Sequence, residues 1–433
     1  LNWLDAAAAP LPAAPFAIAP ATEAFCDPSS IALRASLGDV EALCPWRADR
    51  DPGLASTATA EVAGRQTAVA AVPQTVVAAP AAAFATRFGP TLTAFVSATP
   101  QPPGGTPFAG GARERLLASC RGDEPAYAVS IFAHNGALSV LRRHDGVLAF
   151  DGKPVDQLRL ADQGQIGAVY GLAYDHRRLQ LYASAYVKRD APLGILGPGG
   201  IYRIDLPTGQ VAAWAMLPAG PDLHNFGIND DQAIIPWLGW LGLGDIDLSD
   251  DGRELFVVNA FDGRVYRLSV PDGRILGSFA NGGSHESWAA GARPMGLGVW
   301  GDKLYHGVVN SGAYGGPNEA AVFVSERDGS AMRLVLRLDL DYRKNQWAWK
   351  PWSDQNSGGG HDALLSDIAV RRNGDLLLGL RDRSGDNGST FGAGDLIIAR
   401  QQGGQWVPDT SSGGEFYKDD ITHVEPLWGG LAL

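Results

Sequence analysis

Carboxylate and amide side chains recur at comparable places in several segments of this chain. Asp245 and Asp367 lie near the start of a predicted strand, and Asn259 and Asn310 lie late in, or just after, a following strand. Oxygen ligands of this kind suit calcium. The alternative is structural, because short polar side chains near strand ends often hydrogen-bond neighbouring backbone amides. No inward-facing Glu is evident to complete a metal site, which favours the structural interpretation.

A second candidate for calcium is the segment DRSGDNG, in which Asp382, Ser384 and Asp386 place oxygens at alternating positions. It departs from an EF-hand, since Asn387 stands where the tight turn needs Gly and Ala393 stands where a bidentate Glu is needed. We expect a solvated long hairpin here in preference to a calcium loop.

Tryptophans are concentrated in two long segments between predicted strands. Trp347, Trp349 and Trp352 lie in YRKNQWAWKPWSDQNSGGG, and Trp237 and Trp240 lie in IIPWLGWLG. Exposed rings could stack on a sugar or grip a protein partner, since Trp combines a large area with a polar group. The alternative, which we favour, is that the rings pin these insertions to the core, because large apolar residues are more often packed than displayed.

Catalytic signatures are not found in the sequence. The histidines lie in neither an HExxH motif nor a GxSxG elbow, and there is no Walker A motif or dinucleotide fingerprint. His285-Glu286 and His361-Asp362 lie in Gly-rich loops, from which they could meet across one face of a closed fold. We therefore assign no catalytic residue. Ca²⁺ is the one candidate cofactor, and it is not a firm assignment. Whether the chain is an enzyme stays open.

The elements that must position these residues repeat along the chain. Between residues 242 and 279, GLGDIDLS, ELFVVNAF, GRVYRLSV and GRILGSF are separated only by DDGR, D and PD. Short β-rich runs joined by Asp-Gly turns indicate antiparallel hairpins. The unit recurs at residues 167–217, 292–340 and 364–408, which predicts the four-stranded blades of a β-propeller.

Two incomplete copies flank the four units, one from Ala126 and one from Ile421. The fold class predicted is therefore all-β, a β-propeller of about six or seven four-stranded blades with long interblade insertions. A propeller needs radial closure to hide its edges. The strand that begins at Ile421 must then pair with N-terminal strands, unless the chain is cut short inside a blade.

Residues 1–120 differ in composition from residues 121–433, to which we assign the propeller. The first region is rich in Ala and Pro and is expected to be irregular in part or to contribute strands. Its long apolar stretch is interrupted by prolines and small residues, so we predict no membrane span. Cys26 and Cys44 could form a disulfide that leaves Cys120 free, or all three could be buried thiols.

The chain is acidic, with a formal net charge of −12, and it contains no run of Lys and Arg. Binding to a nucleic-acid backbone needs clustered basic residues, so a nucleic-acid partner is excluded. The 55 glycines and 28 prolines suit a fold of many short strands and turns.

An ordered set of segments, among them IGAVYGLAYDHRRLQLYASAY, GLGDIDLSDDGRELFVVNAFDGRVYRL, RPMGLGVWGDKLYHGVV and HVEPLWGGLAL, resembles one region of known proteins. It is similar to the propeller, of YVTN or NHL type, in large bacterial cell-surface proteins that also carry SdrD B-like or other immunoglobulin-like repeats. The resemblance covers about residues 166–433 and implies a secreted, surface-attached protein. The resemblance implies no catalytic residues for this chain. SdrD B-like repeats are absent from this sequence.

We therefore predict an extracellular or cell-surface β-propeller that serves as a binding or structural module, with a surface glycan or a protein as its partner. The segment from Trp347 to Trp352 is the expected contact. The alternative is a calcium-dependent hydrolase of lactones or phosphoesters, by analogy with metal-dependent propeller enzymes, with the Asp245 and Asp367 group near the metal. An inert spacer is a third interpretation.

Overall fold

The computed structural model describes residues 111–119, 127–131, 146–150, 157–226, 229–344, 347–352, 361–387 and 394–409. The three cysteines, most of the Ala/Pro-rich region and the strand predicted from Ile421 lie outside these ranges. The chain divides into two compact units, Leu1–Thr91 with Leu223–Ile234, and Leu92–Asp222 with Ile235–Leu433. The second unit contains every sheet described below.

In the first unit, Asp231 is the centre of a small polar cluster. One Asp231 oxygen accepts the N–H of Asn225 at 2.7 Å, and the other lies 3.8 Å from His224 Nε2. His224 stacks on Phe226, with ring centroids 4.9 Å apart.

In the second unit, four sheets each contain four antiparallel strands in chain order. Blade 1 is β4 Val169–Asp175, β5 Gln180–Ala185, β6 Gly200–Asp205 and β7 Val211–Met216; blade 2 is β8 Leu243–Leu248, β9 Glu254–Asn259, β10 Arg264–Ser269 and β11 Ile275–Ala280; blade 3 is β12 Ala292–Trp300, β13 Lys303–Asn310, β14 Glu319–Glu326 and β15 Arg333–Asp339; blade 4 is β18 Ala363–Val370, β19 Leu376–Asp382, β20 Asp395–Gln402 and β21 Gln405–Pro408.

The remaining described elements are short. A three-stranded sheet consists of β1 Tyr127–Ile131, β2 Gly146–Phe150 and β3 Gln157–Asp162, and a two-stranded hairpin consists of β16 Arg343–Lys344 and β17 Trp347–Ala348. The helices are α1 Ala112–Ser119 and α2 Gln163–Ile166, with 3-10 turns at Gly197–Gly199, Asn229–Trp237, Gly282–His285, Ala289–Gly291 and Arg383–Gly385. Helix α1 was not predicted from the sequence.

Asp-Gly turns set the strand boundaries as the sequence predicts. Gly263 has φ +68°, a left-handed value that glycine adopts without strain. The preceding Asp262 accepts the hydroxyl of Tyr266 at 2.6 Å and the N–H of Arg264 at 3.0 Å. Burial raises the pKa of Asp262 to about 6. The turn is therefore fixed by its own carboxylate as well as by backbone geometry.

The first strand of each blade is its inner strand. Inner strands β4, β8, β12 and β18 contact one another in this order, as blades around a common axis do. A Cβ at Gly171 would lie 2.8 Å from Ile246 N, and one at Gly296 would lie 2.8 Å from Leu365 O. Glycine is thus required where neighbouring inner strands approach most closely.

Each inner strand also contains a register break near its start, at Val169/Leu172, Leu243/Ile246, Pro294/Leu297 and Leu365/Asp367. A bulge leaves residues unpaired and redirects their side chains. The same irregularity in four blades explains why the sequence repeats align there.

The predicted all-β, propeller-like fold is confirmed in its coarse form, with all four complete repeats appearing as four-stranded antiparallel sheets. The total number of blades and the closure of the ring stay predictions. Among the described residues, no helix combines the length and apolar character needed to cross a membrane.

Candidate functional site at the insertion face

Antiparallel meanders place two kinds of loop on the same side of the blades. Connections from a second to a third strand, and from a fourth strand to the next inner strand, all leave at the end where inner strands begin. We call this side the insertion face, because the longest connections between blades, those that follow β7 and β15, leave the sheets there. The opposite side, where inner strands turn into second strands, is the hairpin face.

A buried charged group joins blades 1 and 4 at the insertion face. Tyr186, just after β5, donates its hydroxyl to Asp386 Oδ2 at 2.7 Å, and Arg381 of β19 pairs with the other oxygen of Asp386. The N–H of Arg189 donates to the Asp386 carbonyl at 2.9 Å. Burial raises the pKa of the Tyr186 hydroxyl, so it is a neutral donor.

An ion pair and a histidine contact fix the end of the 340–362 insertion. Arg383 donates to Asp362 through Nε at 3.0 Å and through Nη2 at 2.6 Å, and both residues are almost fully buried. His361 Nδ1 lies 2.8 Å from Asp382 Oδ2. Both Arg383 donors reach the same oxygen of Asp362, and charge-assisted hydrogen bonds of this kind are stronger than neutral ones. The His285-Glu286 pair does not join them, since Glu286 binds Arg337 at 2.7 Å.

Aromatic rings and arginines alternate beside these pairs. The guanidinium of Arg293 lies 3.0 Å from the centre of the Trp240 ring, and that of Arg383 lies 4.6 Å from the Trp352 ring. Trp240 and Trp352 meet edge to face with centroids 6.4 Å apart. Trp352 also donates its indole N–H to the Ala363 carbonyl at 2.9 Å. These cation–π and edge contacts join the segment before blade 2 to blades 3 and 4.

The other predicted tryptophans have different environments. Trp349 is 3% exposed within the core of blades 3 and 4, and it donates to the Tyr342 hydroxyl at 2.8 Å. Trp237 is half-buried. Trp347 pairs with Lys344 across the β16–β17 hairpin. The burial of Trp349 favours the packing interpretation for that residue.

Asp245 of β8 lies close enough to Asp367 of β18 for their charges to interact. Asp245 accepts the N–H of Ile246 at 2.9 Å and that of Leu297, in the next blade, at 3.1 Å. Burial, followed by the neighbouring Asp367 carboxylate, raises the pKa of Asp245 well above its usual range. Tyr170 lies in the same group, and burial raises the pKa of its hydroxyl. Asp245 therefore stabilises the junction of blades 2 and 3.

Asn259 and Asn310 occupy equivalent positions at the ends of β9 and β13, and each binds its own surroundings. Asn259 donates to the Pro218 carbonyl at 2.8 Å and accepts the N–H of Phe261 at 3.0 Å. Asn310 donates to the Pro317 carbonyl at 2.7 Å and accepts the N–H of Gly312 at 3.0 Å. Both amides order loops of the insertion face.

These residues do not fit a calcium site. In the described ranges, no group of three or more His, Cys, Asp or Glu side chains is placed to hold a metal ion. Asp382 accepts the N–H of Ser384 at 2.8 Å in addition to its contact with His361, and Asp386 is engaged by Arg381 and Tyr186. The carboxylates of Asp382 and Asp386 are therefore directed to protein donors.

The expectation of a solvated hairpin after β19 is wrong for the residues up to Asp386. Arg381, Asp382, Arg383 and Asp386 are each at most 3% exposed. The reason is mutual charge compensation, which allows a strongly polar segment to be buried.

Sequence reasoning missed Tyr186, Arg293, Arg381 and Arg383, which build most of this site. One signal was present, since Arg and Asp alternate in LRDRSGD directly after the apolar run of β19. Opposite charges at the end of a buried strand indicate internal ion pairs. The contacts with Tyr186 of blade 1 and with Asp362 before β18 are not visible from the sequence, because these residues are distant along the chain.

No protein-family model matches the chain. Two similar proteins are Colossin-A of Dictyostelium discoideum, 24% identical over 56% of this chain and 2% of that protein, and Colossin-B, 20% identical over 64% and 9%. The chain thus spans under a tenth of the length of these relatives. Among solved structures, a GH43 β-1,3-galactosidase with galactodeoxynojirimycin shows a TM-score of 0.37 and 10% identity, over 65% of this chain and 89% of that one.

Proposed function

We propose that the chain is a binding or structural module of an extracellular or cell-surface protein, with the insertion face as its contact surface. The observation that carries the proposal is the buried network at the base of that face. It connects blades 1 and 4 through Tyr186 and Asp386 and fixes the insertion after blade 3 through Arg383 and Asp362. Rigid scaffolds that present variable loops are typical of binding proteins.

The 340–362 insertion is anchored at residues 349–352 and at residue 361. On one side, Trp349 lies in the core and Trp352 donates to Ala363. On the other, His361 accepts the N–H of Lys350 at 2.9 Å through its carbonyl and contacts Asp382 with its ring. A loop whose base is fixed loses less conformational entropy when it binds. The partner we propose is a surface glycan or protein.

A hydrolase is the weaker proposal, because the side chains it needs are engaged elsewhere. Asp245 bonds to backbone amides of two blades, and Asn259 and Asn310 bond to their own loops. No arrangement of a general base beside an activated nucleophile is seen among the described residues. We therefore derive no catalytic step.

The proposal is tested by screening the purified chain against a glycan array and a panel of surface proteins. Trp347→Ala is the test variant, and Trp300→Ala is its control, because Trp300 is 43% exposed and lies at the end of an inner strand on the hairpin face. We expect Trp347→Ala to weaken binding at least tenfold while Trp300→Ala binds normally, with melting temperatures unchanged in both. Equal binding by the two variants, or turnover of a lactone or phosphoester by the wild type, would contradict it.

Cell-surface location is tested separately with an antibody against this chain on intact cells of the source organism. The proposal predicts labelling without permeabilisation. Labelling that appears only after permeabilisation would remove the extracellular part of the proposal and leave the binding part standing.

A further inference from the structure

Three aspartates of blade 2 accept backbone N–H groups from alternate residues of blade 3. The pairs are Asp245 with Leu297 at 3.1 Å, Asp247 with Val299 at 2.7 Å and Asp250 with Gly301 at 3.0 Å. The second oxygen of Asp245 and of Asp247 accepts the N–H of the residue that follows it in β8. Strand β12 pairs with β13 on its other side, so these side chains occupy the edge where a further strand would pair. We call the three aspartates the carboxylate row.

The equivalent positions at the junctions of blades 1 with 2 and of blades 3 with 4 are small residues. They are Gly171 and Ala173 in β4, and Gly296 and Gly298 in β12. A Cβ at Gly298 would collide with the Ile368 carbonyl of blade 4, so the backbones approach closely there. At the junction of blades 2 and 3, Gly244 makes such an approach to Met295 near the insertion face. The carboxylate row follows it toward the hairpin face.

The apolar core divides along the same line. One cluster of buried side chains joins blades 1 and 2, and another joins blades 3 and 4. The cluster that joins blades 2 and 3 is smaller, and its buried members are Phe256, Val258, Val265, Leu297 and Leu304. Apolar burial is the main favourable term in packing. Blades 1 and 2 therefore form one firmly packed pair, and blades 3 and 4 form another.

Burial opposes ionisation in the carboxylate row. It raises the pKa of Asp247 to about 6, and the nearby Asp250 charge acts in the same direction. Burial, followed by the Asp367 carboxylate, raises the pKa of Asp245 well above its usual range. In an open, hydrated junction the pKa of an aspartate is about 4. The closed junction thus binds protons more tightly than the open one, and a rising pH favours opening.

Other ionisable groups surround the row on the neighbouring elements. They are Asp367 of β18, Tyr170 of β4, Arg381 of β19 and, at the hairpin face, Asp251 and Arg327. Tyr170 is neutral, because burial raises the pKa of its hydroxyl. Arg381 is engaged by Asp386, and Arg327 lies between Asp251 and Asp302. The two arginines are therefore bound to carboxylates outside the row.

We infer that the junction of blades 2 and 3 is a pH-dependent hinge, closed when the carboxylate row is protonated and open at the hairpin face when it is ionised. At the insertion face, Arg293 of blade 3 lies on the Trp240 ring of the segment before blade 2, and Tyr186 bonds to Asp386. These contacts keep that end closed. A rise in pH loosens the hairpin face and leaves the proposed contact surface in place.

The inference is tested by hydrogen exchange on the full chain between pH 5 and pH 8, with the rates corrected for intrinsic exchange. A pKa for Asp247 of about 6 in the closed junction and about 4 in the open one gives an opening constant that rises about tenfold over this range. We expect the amides of Leu297 and Val299 to lose about tenfold protection or more. The amide of Gly171 is the matched control, because it donates at 3.1 Å to the Ser184 hydroxyl, which does not titrate. The same pH dependence at all three amides, or none at Leu297 and Val299, would overturn the inference.

Asp247→Asn separates the titration from the packing, because the amide has no proton to lose. The pH dependence of protection at Val299 should shrink about tenfold in this variant, whatever its overall stability. Asp302→Asn, whose side chain is 85% exposed, is the control and should keep the wild-type pH dependence. An unchanged pH dependence in Asp247→Asn would contradict the role of the row.

Spin labels on an unnatural amino acid measure the opening itself. Arg253 and Asp302 are exposed on the hairpin face of blades 2 and 3, and Arg372 is exposed on that of blade 4. We expect the distance distribution between labels at Arg253 and Asp302 to widen from pH 5 to pH 8. Labels at Asp302 and Arg372 should keep one distribution. Widening for both pairs, or for neither, would overturn the hinge.

Discussion

The two faces of the blades are held together by different means. On the hairpin face, Arg178 of blade 1 donates to the Gly252 carbonyl of blade 2 at 2.9 Å, and Gly301 of blade 3 donates to Asp250 at 3.0 Å, all near solvent. On the insertion face the link between blades 1 and 4 is the buried hydrogen bond from Tyr186 to Asp386, and buried ion pairs of blade 4 support it. Exposed links are individually weak, whereas a buried pair is costly to break, so the insertion face is the more rigid one.

The largest expected effect comes from breaking the link between blades 1 and 4. Asp386→Asn removes the carboxylate that contacts both Arg381 and Tyr186, which leaves a buried guanidinium without its counter-charge. We expect a loss of about 3–5 kcal/mol in the free energy of unfolding, measured by urea titration. Asp302→Asn, whose side chain is 85% exposed, is the control and should change little. Equal losses in the free energy of unfolding for the two variants would show that contacts on the two faces contribute equally to stability.

Next in size is Trp349→Ala, which empties a core position between blades 3 and 4. Truncation of a buried Trp costs about 3–5 kcal/mol, reduced if the site collapses. The same titration on Trp347→Ala should show a change below about 1 kcal/mol. A large loss for Trp347→Ala would identify it as a packing residue and remove the basis of the proposed contact.

The pH dependence of blade 3 gives a smaller effect. His306 is buried, contacts Ser325 at 3.1 Å, and has its pKa lowered by burial to about 4. The unfolded chain therefore takes up the proton first as the pH falls from about 6.5. This contribution to stability is full above pH 6.5 and is lost toward pH 4.

We expect the wild type to lose about 2 kcal/mol more stability than His306→Gln when the pH falls from 7 to 5. Asp247, whose pKa burial raises to about 6, acts in the opposite sense, because protonation favours the folded state and this contribution is lost as the pH rises through 6. It is common to both proteins and cancels in the comparison. Parallel stability curves for the two proteins would contradict the prediction.

The smallest effect is expected on the hairpin face. Arg327 contacts Asp302 at 3.2 Å and Asp251 at 3.6 Å near solvent. Arg327→Ala should cost at most about 1 kcal/mol, and the difference should shrink in 1 M salt because exposed charges are screened. A larger cost that is independent of salt would place this residue among the buried links.

Local chemistry made the blades predictable from sequence. Turns such as Asp262-Gly263 and short β-rich runs such as β9 and β10 depend on residues a few positions apart, so the four complete units were located correctly. The candidate site was harder to predict from the sequence, because Tyr186 and Asp386 are 200 positions apart and meet only through the arrangement of the blades. The repeat aligns Asp245 with Asp367, but the bond from Leu297 to Asp245 depends on the neighbouring strand.

The sequence pattern also did not distinguish Trp347 from Trp349 within the 340–362 insertion. Trp349 enters the core while Trp347 lies on a two-stranded hairpin, although both occur in the same polar, Gly-rich insertion. The Arg and Asp residues after β19 were expected to be solvated because they are charged. Their burial depends on partners in other segments that one sequence does not reveal.

The central claim is that protein side chains, and not a bound cation, hold the insertion face together. The direct test is the divalent-metal content of protein purified without chelator, combined with thermal melts with and without excess EDTA. We predict no stoichiometric metal and the same melting temperature in both melts. A stoichiometric calcium ion whose removal lowers the melting temperature would contradict the claim, since a ligand that binds the folded state stabilises it.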